Sequence, residues 1–154
     1  MLEDLLKAHS IELPSPPPAA GSYVPVVKAG NLVYISGQLP FEDQTMTLPT
    51  KYVGKVPTEV SIRDAQLGAR QCVINAIAHL KVFFSTLDPV RRFVRVNGYV
   101  NCEVTFIDHS KIMNGATDLL GEIFGKGWLP SRIAIGVNSL PLGSAVEIDF
   151  VCEI

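Results

Sequence analysis

Near the end of the chain, PSRIAIGVNSLPLGSAVEIDF (Pro130–Phe150) carries two residues that together support chemistry on a small acid. Arg132 opens one apolar run and Glu147 lies inside the next. A guanidinium is always charged and presents a planar fork of donors that matches a carboxylate bidentately. A glutamate nearby can hold or activate a water. Charges in closing strands face water, a partner or a ligand. The residues alone leave two readings open, a ligand pair and a structural ion pair.

Strand alternation sets these side chains on faces. Ile133, Ile135 and Val137 share one face, and Arg132, Ala134 and Gly136 the other. In the following run Val146, Ile148, Phe150, Cys152 and Ile154 alternate with Glu147, Asp149, Val151 and Glu153. The bulky faces are expected to meet helices, which leaves Arg132 and Glu147 together on an open face. Pro141-Leu142-Gly143-Ser144 reads as the turn between the two strands. A symmetric hairpin about that turn sets Glu147 opposite Gly136, about 13 Å along the strand from Arg132. A bulge, a shifted register or a shared cleft must close that gap.

The remaining elements follow from periodicity and punctuation. Leu2, Leu5 and Leu6 predict a short helix over Met1–Ser10, ended by the stiff Pro14, Pro16, Pro17 and Pro18 connector. Tyr23–Gly37 reads as a β-hairpin about Gly30-Asn31. Residues Phe41–Glu59 form a long, mostly polar excursion. Ser61 caps a helix whose stripe is Ala69, Val73, Ile77, Leu80 and Phe84. Phe93–Phe106 is strand-like, and Asp108 caps a second helix with Ile112, Ala116, Leu119, Leu120 and Ile123 inward. The order β-β-α-β-α-β-β predicts an α+β two-layer domain, a mixed sheet with two helices on one face, spanning 1–154 as a single domain, with 1–18 the N-terminal helix and connector. Apolar area in the first hairpin, beyond what one helix layer covers, favours association through the open face.

Composition limits the partners. Net charge is −2, which gives no general attraction to a phosphate backbone. Three scattered cysteines, Cys72, Cys102 and Cys152, support neither a disulfide framework nor a zinc site. No stretch reaches the roughly 18 apolar residues of a membrane span. The chain is therefore expected to be cytoplasmic, without membrane or nucleic-acid partners. His79, at the edge of an apolar stripe, and His109, at a helix start, read as structural, and Trp128 as a packing anchor.

Four segments carry a more specific signal: AAGSYVPVV (Ala19–Val27), LVYISGQLP (Leu32–Pro40), IMNGATDLLGEIFG (Ile112–Gly125) and LPSRIAIGVNSLPLGSAVEIDF (Leu129–Phe150). In this order and at these distances they resemble the Rid family of reactive intermediate deaminases, also called YjgF-type or endoribonuclease L-PSP proteins. The resemblance implies a chorismate-mutase-like fold of the bacillus type and a homotrimer, a barrel-like assembly with clefts between subunits. It implies hydrolysis of 2-imino acids to 2-keto acids and ammonia, with no metal or organic cofactor. On this likeness Arg132 binds the substrate carboxylate and Glu147 stands by the attacking water. Tyr23, Ser36, Gly37, Gln38 and Asn114 fall on pocket positions. Ala134 stands where many members have a cysteine, and Thr117 where the family has an aromatic residue. The N-terminal helix and the longer Phe41–Tyr52 excursion are additions that resemble a subgroup. A non-catalytic keto-acid-binding trimer is the alternative, followed by a ribonuclease, which the acidic balance disfavours, and a chorismate mutase, which the fold alone would suggest.

Overall fold

The computed structural model describes residues 2–154. The first hairpin forms as its sequence requires. Strand β1 (Val26–Ala29) pairs antiparallel with β2 (Leu32–Gln38), and Val26 stands opposite Ile35. Val33 and Ile35 are buried while Tyr34 is exposed, so one face of the hairpin is core and the other is open.

Two helices cover the core face. Helix α2 (Ile62–Phe84) starts where the Ser61 hydroxyl accepts from the Asp64 amide at 3.0 Å, and its Ala69, Val73, Ile77 and Leu80 stripe is fully buried. Helix α3 (His109–Phe124) buries Ile112, Met113, Ala116, Leu119 and Leu120 against α2 and the sheet. Asp108 holds the N-cap position of α3 without a side-chain capping bond, and its carboxylate pairs with Lys111 at 3.1 Å. The short helix α1 (Leu2–Ala8) docks on this layer through buried Leu2 and Leu6, with Glu3 bridged to Lys81 of α2.

Strands β3 (Arg92–Asn101), β4 (Ser131–Val137) and β5 (Val146–Glu153) complete a five-stranded sheet of order β1-β2-β5-β3-β4. This corrects the hairpin expected for the last two strands. Strand β5 inserts between β2 and β3, antiparallel to both, whereas β4 runs parallel to β3 at the sheet edge. The 3₁₀ turn at Pro141–Gly143 therefore starts a crossing, not a tight reversal. The expected α+β two-layer arrangement holds, with Phe93 and Phe150 stacked edge to face, ring centroids 5.5 Å apart, in its core.

The faces of β5 are as the alternation predicts: Val146, Ile148, Phe150 and Cys152 are buried, and Glu147 and Asp149 lie on the open face. The faces of β4 are inverted. Arg132 is in register with buried Val96, and Ala134 packs against the core, while Ile133 and Ile135 remain 43% and 40% exposed. The reason is steric. At this edge α3 and its leading turn lie so close to the sheet that a Cβ at Gly136 would stand 2.6 Å from His109 Nε2 and 2.8 Å from Cys102 Sγ. Small residues must face the helix there, and the isoleucines turn outward.

The Phe41–Glu59 excursion is held to the body. Phe41, Leu48, Tyr52 and Val56 are buried, and bridges join Val53 to Ser144 and Val56 to Cys102.

Candidate active site

The candidate residues fall into two groups on opposite sides of the molecule. The first surrounds Glu147. Strand β2 bulges between Ile35 and Gln38 where it pairs with β5, and Gly37 lies in that bulge. A Cβ on Gly37 would overlap the Glu147 carboxylate, so only glycine lets the two strands hold this geometry. The Ser36 hydroxyl donates to the Val24 carbonyl at 2.8 Å, and buried Gln38 donates Nε2 to the Ser36 carbonyl at 2.9 Å. Both side chains thus pin the bulge from either side. Tyr23, half exposed, accepts the Ala20 amide at its hydroxyl, 3.3 Å away, and ties the proline connector to the hairpin.

These residues line a cavity of about 660 Å³. Its floor is Ser36, Gly37 and Gln38 with Glu147, and its walls include Tyr23, Pro25, Leu39 and Leu142. The connector adds Pro17 and Pro18, and the excursion adds Phe41 and Met46. Among the described residues no lysine or arginine lines it. Glu147 makes no hydrogen bond or ion pair among the described residues, and burial, with a smaller push from Asp149, raises its pKa above the ordinary carboxylate value. Asp149 itself accepts from Asn97 at 2.7 Å and from the Tyr99 hydroxyl at 3.2 Å. A carboxylate that is partly desolvated and free of protein partners is poised to take a proton from a water.

The second group surrounds Arg132 on the edge strand. Its Nη1 donates to Asn114 Oδ1 and to Thr117 Oγ1, each at 2.9 Å, and Nη2 reaches the Ser110 carbonyl at 3.5 Å. Asn114 and Thr117 occupy one face of α3, so the helix fixes the guanidinium from behind. That leaves Nε–H and one of the two Nη2–H groups without an acceptor among the described residues. Asn114 therefore orients the arginine, and Ala134 is partly buried against the core. Neither lines the cavity.

Residue-level reading of the sequence missed His79. It sits on α2, 8% exposed, lines the cavity, and has its pKa lowered by burial. The available signal was the pair Asn75 and His79, two polar residues one turn apart beside an apolar stripe. Asn75 is buried and donates to the carbonyls of Leu39 and Phe41, at 3.0 and 2.9 Å. It anchors the chain that forms the cavity wall beside His79. Among the described residues no cluster of three or more histidine, cysteine, aspartate or glutamate side chains could hold a metal ion.

Comparison with known proteins extends over the whole site. Residues 3–154 match the family described as "YjgF/chorismate_mutase-like, putative endoribonuclease". Protein TCP17 of Trypanosoma cruzi is 33% identical over 97% of this chain and 91% of its own. A protein of Dermatophagoides farinae named 2-iminobutanoate/2-iminopropanoate deaminase is 29% identical over 94% of each chain. A crystal structure from Shewanella oneidensis, described as that of a "putative endoribonuclease", superposes with a TM-score of 0.90 at 30% identity, covering 100% of this chain and 99% of the other. With that match running over residues 3–154, the chain belongs to the YjgF/chorismate-mutase-like family.

Proposed function

We propose that this protein hydrolyses 2-imino acids to 2-keto acids and ammonia, in clefts where Arg132 of one subunit meets the Glu147 cavity of the next. The observation that carries the proposal is the separation of the two half-sites within one chain. Glu147 stands opposite Tyr99, and Tyr99 opposite Ile135, three residues from Arg132. Two strand spacings and three residues put the two Cα atoms on the order of 14 Å apart, with the side chains leaving opposite faces. A small imino acid, whose carboxylate and imine carbon are directly bonded, cannot be held by both in one chain.

A cyclic assembly resolves this. The Glu147 cavity lies on the β1–β2 side of the sheet and Arg132 on the β4 edge. A head-to-tail interface brings unlike edges together and closes into a ring. The open face carries the apolar surface such contact needs: Val27, Tyr34, Ile133 and Ile135 are each 40–50% exposed. We take the ring to be a homotrimer, as the family resemblance implies.

In that cleft the free donors of Arg132 grip the substrate carboxylate. The imine carbon lies over Glu147, which accepts a proton from water as the water oxygen bonds to that carbon. From the protonated imine this gives a neutral carbinolamine. Glu147 returns the proton to its nitrogen, and the carbon–nitrogen bond breaks to release ammonia as the carbon–oxygen double bond forms. The hydroxyl proton passes to the Glu147 carboxylate, from which the departing ammonia takes it as ammonium. No electron transfer is involved. Positioning supplies much of the acceleration, because a protonated imine is already electrophilic. The absence of lysine and arginine among the described residues of the cavity lining favours this reaction over cleavage of a phosphodiester.

The test is a coupled assay in which an amino-acid oxidase generates the imine and semicarbazide traps what is not hydrolysed. Purified protein should lower the semicarbazone yield, and Arg132→Ala should not. A protein that binds 2-keto acids yet leaves the yield unchanged would be a binding module instead.

A further inference from the structure

The cavity is larger than its reaction centre needs. At about 660 Å³ it falls in the range that holds drug-sized ligands, about 300–1,000 Å³, whereas a four-carbon imino acid fills a small part of it. It also reaches between layers. Glu147 projects from the open face of the sheet, and His79 belongs to α2 on the covered face, yet both line the same space. Packed layers stand on the order of 10 Å apart, so the cavity wraps the end of β2 from one layer toward the other.

The lining supplied by the excursion and the connector has a definite chemistry. Phe41 and Met46 come from the excursion, and Pro17 and Pro18 from the connector. Ring faces, prolines and a polarizable thioether pack well against an aromatic ring. His79 is the polar group among them. It makes no hydrogen bond among the described residues, and it is buried apart from the side turned to the cavity. Its ring nitrogens are not sealed from solvent, so an occupant of the cavity can bond them.

We infer that the site selects 2-imino acids, and the 2-keto acids they yield, whose side chain is a bulky aromatic ring seated between Phe41, Met46 and the proline connector, with His79 bonding a polar atom at the ring's far edge. This rests on the proposed imine hydrolysis for its reaction centre and adds the substrate class. His79 is a specificity residue that touches the substrate side chain, not the reacting carbon. The two segments that extend the domain beyond the shared motifs thereby acquire a common purpose, since each supplies one wall.

The experiment compares imines generated from 2-aminobutanoate, phenylalanine and tyrosine in the coupled assay. The aromatic imines should be hydrolysed with kcat/KM at least tenfold above 2-iminobutanoate, and the 4-hydroxyphenyl substrate several-fold above the phenyl one. His79→Phe should abolish the preference for the hydroxyl. Met46→Trp, which fills the cavity from a surface loop, should cut the aromatic-to-aliphatic ratio at least tenfold. Equal or better turnover of 2-iminobutanoate by the wild-type protein overturns the inference while leaving imine hydrolysis intact. If no imine is hydrolysed, the reaction falls, and thermal shifts decide the binding claim. Stronger stabilisation by phenylpyruvate than by 2-ketobutanoate sustains it, and equal or absent stabilisation overturns it.

Discussion

Arg132 and Glu147 leave one sheet on opposite faces, with β3 between their strands. Arg132 is braced by Asn114 and Thr117 with Nε–H free, and Glu147 is half-buried with no bonding partner among the described residues. On the proposed reading, a single copy carries both halves of the site without being able to use them on one small molecule.

The brace behind Arg132 makes a graded prediction. Arg132→Ala removes two charge-assisted bonds of about 1.5–3 kcal/mol each, so kcat/KM should fall by a hundredfold or more. Arg132→Lys should recover little of it, since an ammonium lacks the fork. Asn114→Ala keeps the guanidinium but frees it to rotate, so KM should rise several-fold with a smaller change in kcat. Steady-state kinetics on the three variants separates gripping from positioning.

Gly37 is fixed by the carboxylate it faces. Gly37→Ala would set a methyl group onto Glu147, so either the bulge shifts or the carboxylate moves. Overpacking of this kind costs about 1–3 kcal/mol. Chemical denaturation should show that loss, and activity should fall further than stability because Glu147 is displaced. An alanine variant with unchanged stability and turnover would contradict the close approach.

The raised pKa of Glu147 gives two pH predictions of known sign. Its folded-state pKa lies above the ordinary glutamate value of 4.5 because burial, then Asp149, disfavours the charged form. The folded state therefore holds that proton more tightly than the unfolded chain. Stability falls as pH rises from the unfolded value to the folded one, and the loss persists above it. Glu147→Gln should remove this fall, so its advantage over wild type should grow across that window in urea titrations. The acid limb of kcat/KM should follow the same carboxylate, and Asp149→Asn should move that limb to lower pH.

Association should depend on the outward isoleucines. Ile133→Asp and Ile135→Asp place charges on the open face without touching the buried core. The variants should keep their far-ultraviolet circular dichroism, run as monomers in size-exclusion chromatography, and lose activity. A variant that is monomeric and fully active would show that one chain suffices.

Much of this architecture was legible in the sequence, and the failures are instructive. The helix stripes, the Ser61 cap and the Gly30-Asn31 hairpin are local patterns, and each is realised. Alternation correctly grouped the residues of β4 and β5 that share a face, because period two is a property of the strand itself. It could not say which face of β4 is covered, since that depends on how closely α3 approaches Gly136. Nor could it show that β5 inserts between β2 and β3, because pairing order is a long-range property. The motifs pointed to Arg132 and Glu147, while His79 read as structural, since its one-turn spacing from Asn75 is a weak mark by itself. Only the fold of the excursion, anchored by Asn75, turns it into a cavity residue.

The shared cleft is tested most directly by mixing two inactive proteins. Arg132→Ala retains its Glu147 cavity, and Glu147→Gln retains its arginine. Co-refolded in equal amounts, they should form mixed rings in which about one cleft in four pairs an intact arginine with an intact glutamate. Imine hydrolysis should return to about a quarter of the wild-type rate. Mixed rings that form, as shown by differently tagged subunits purifying together, yet stay inactive would contradict the account.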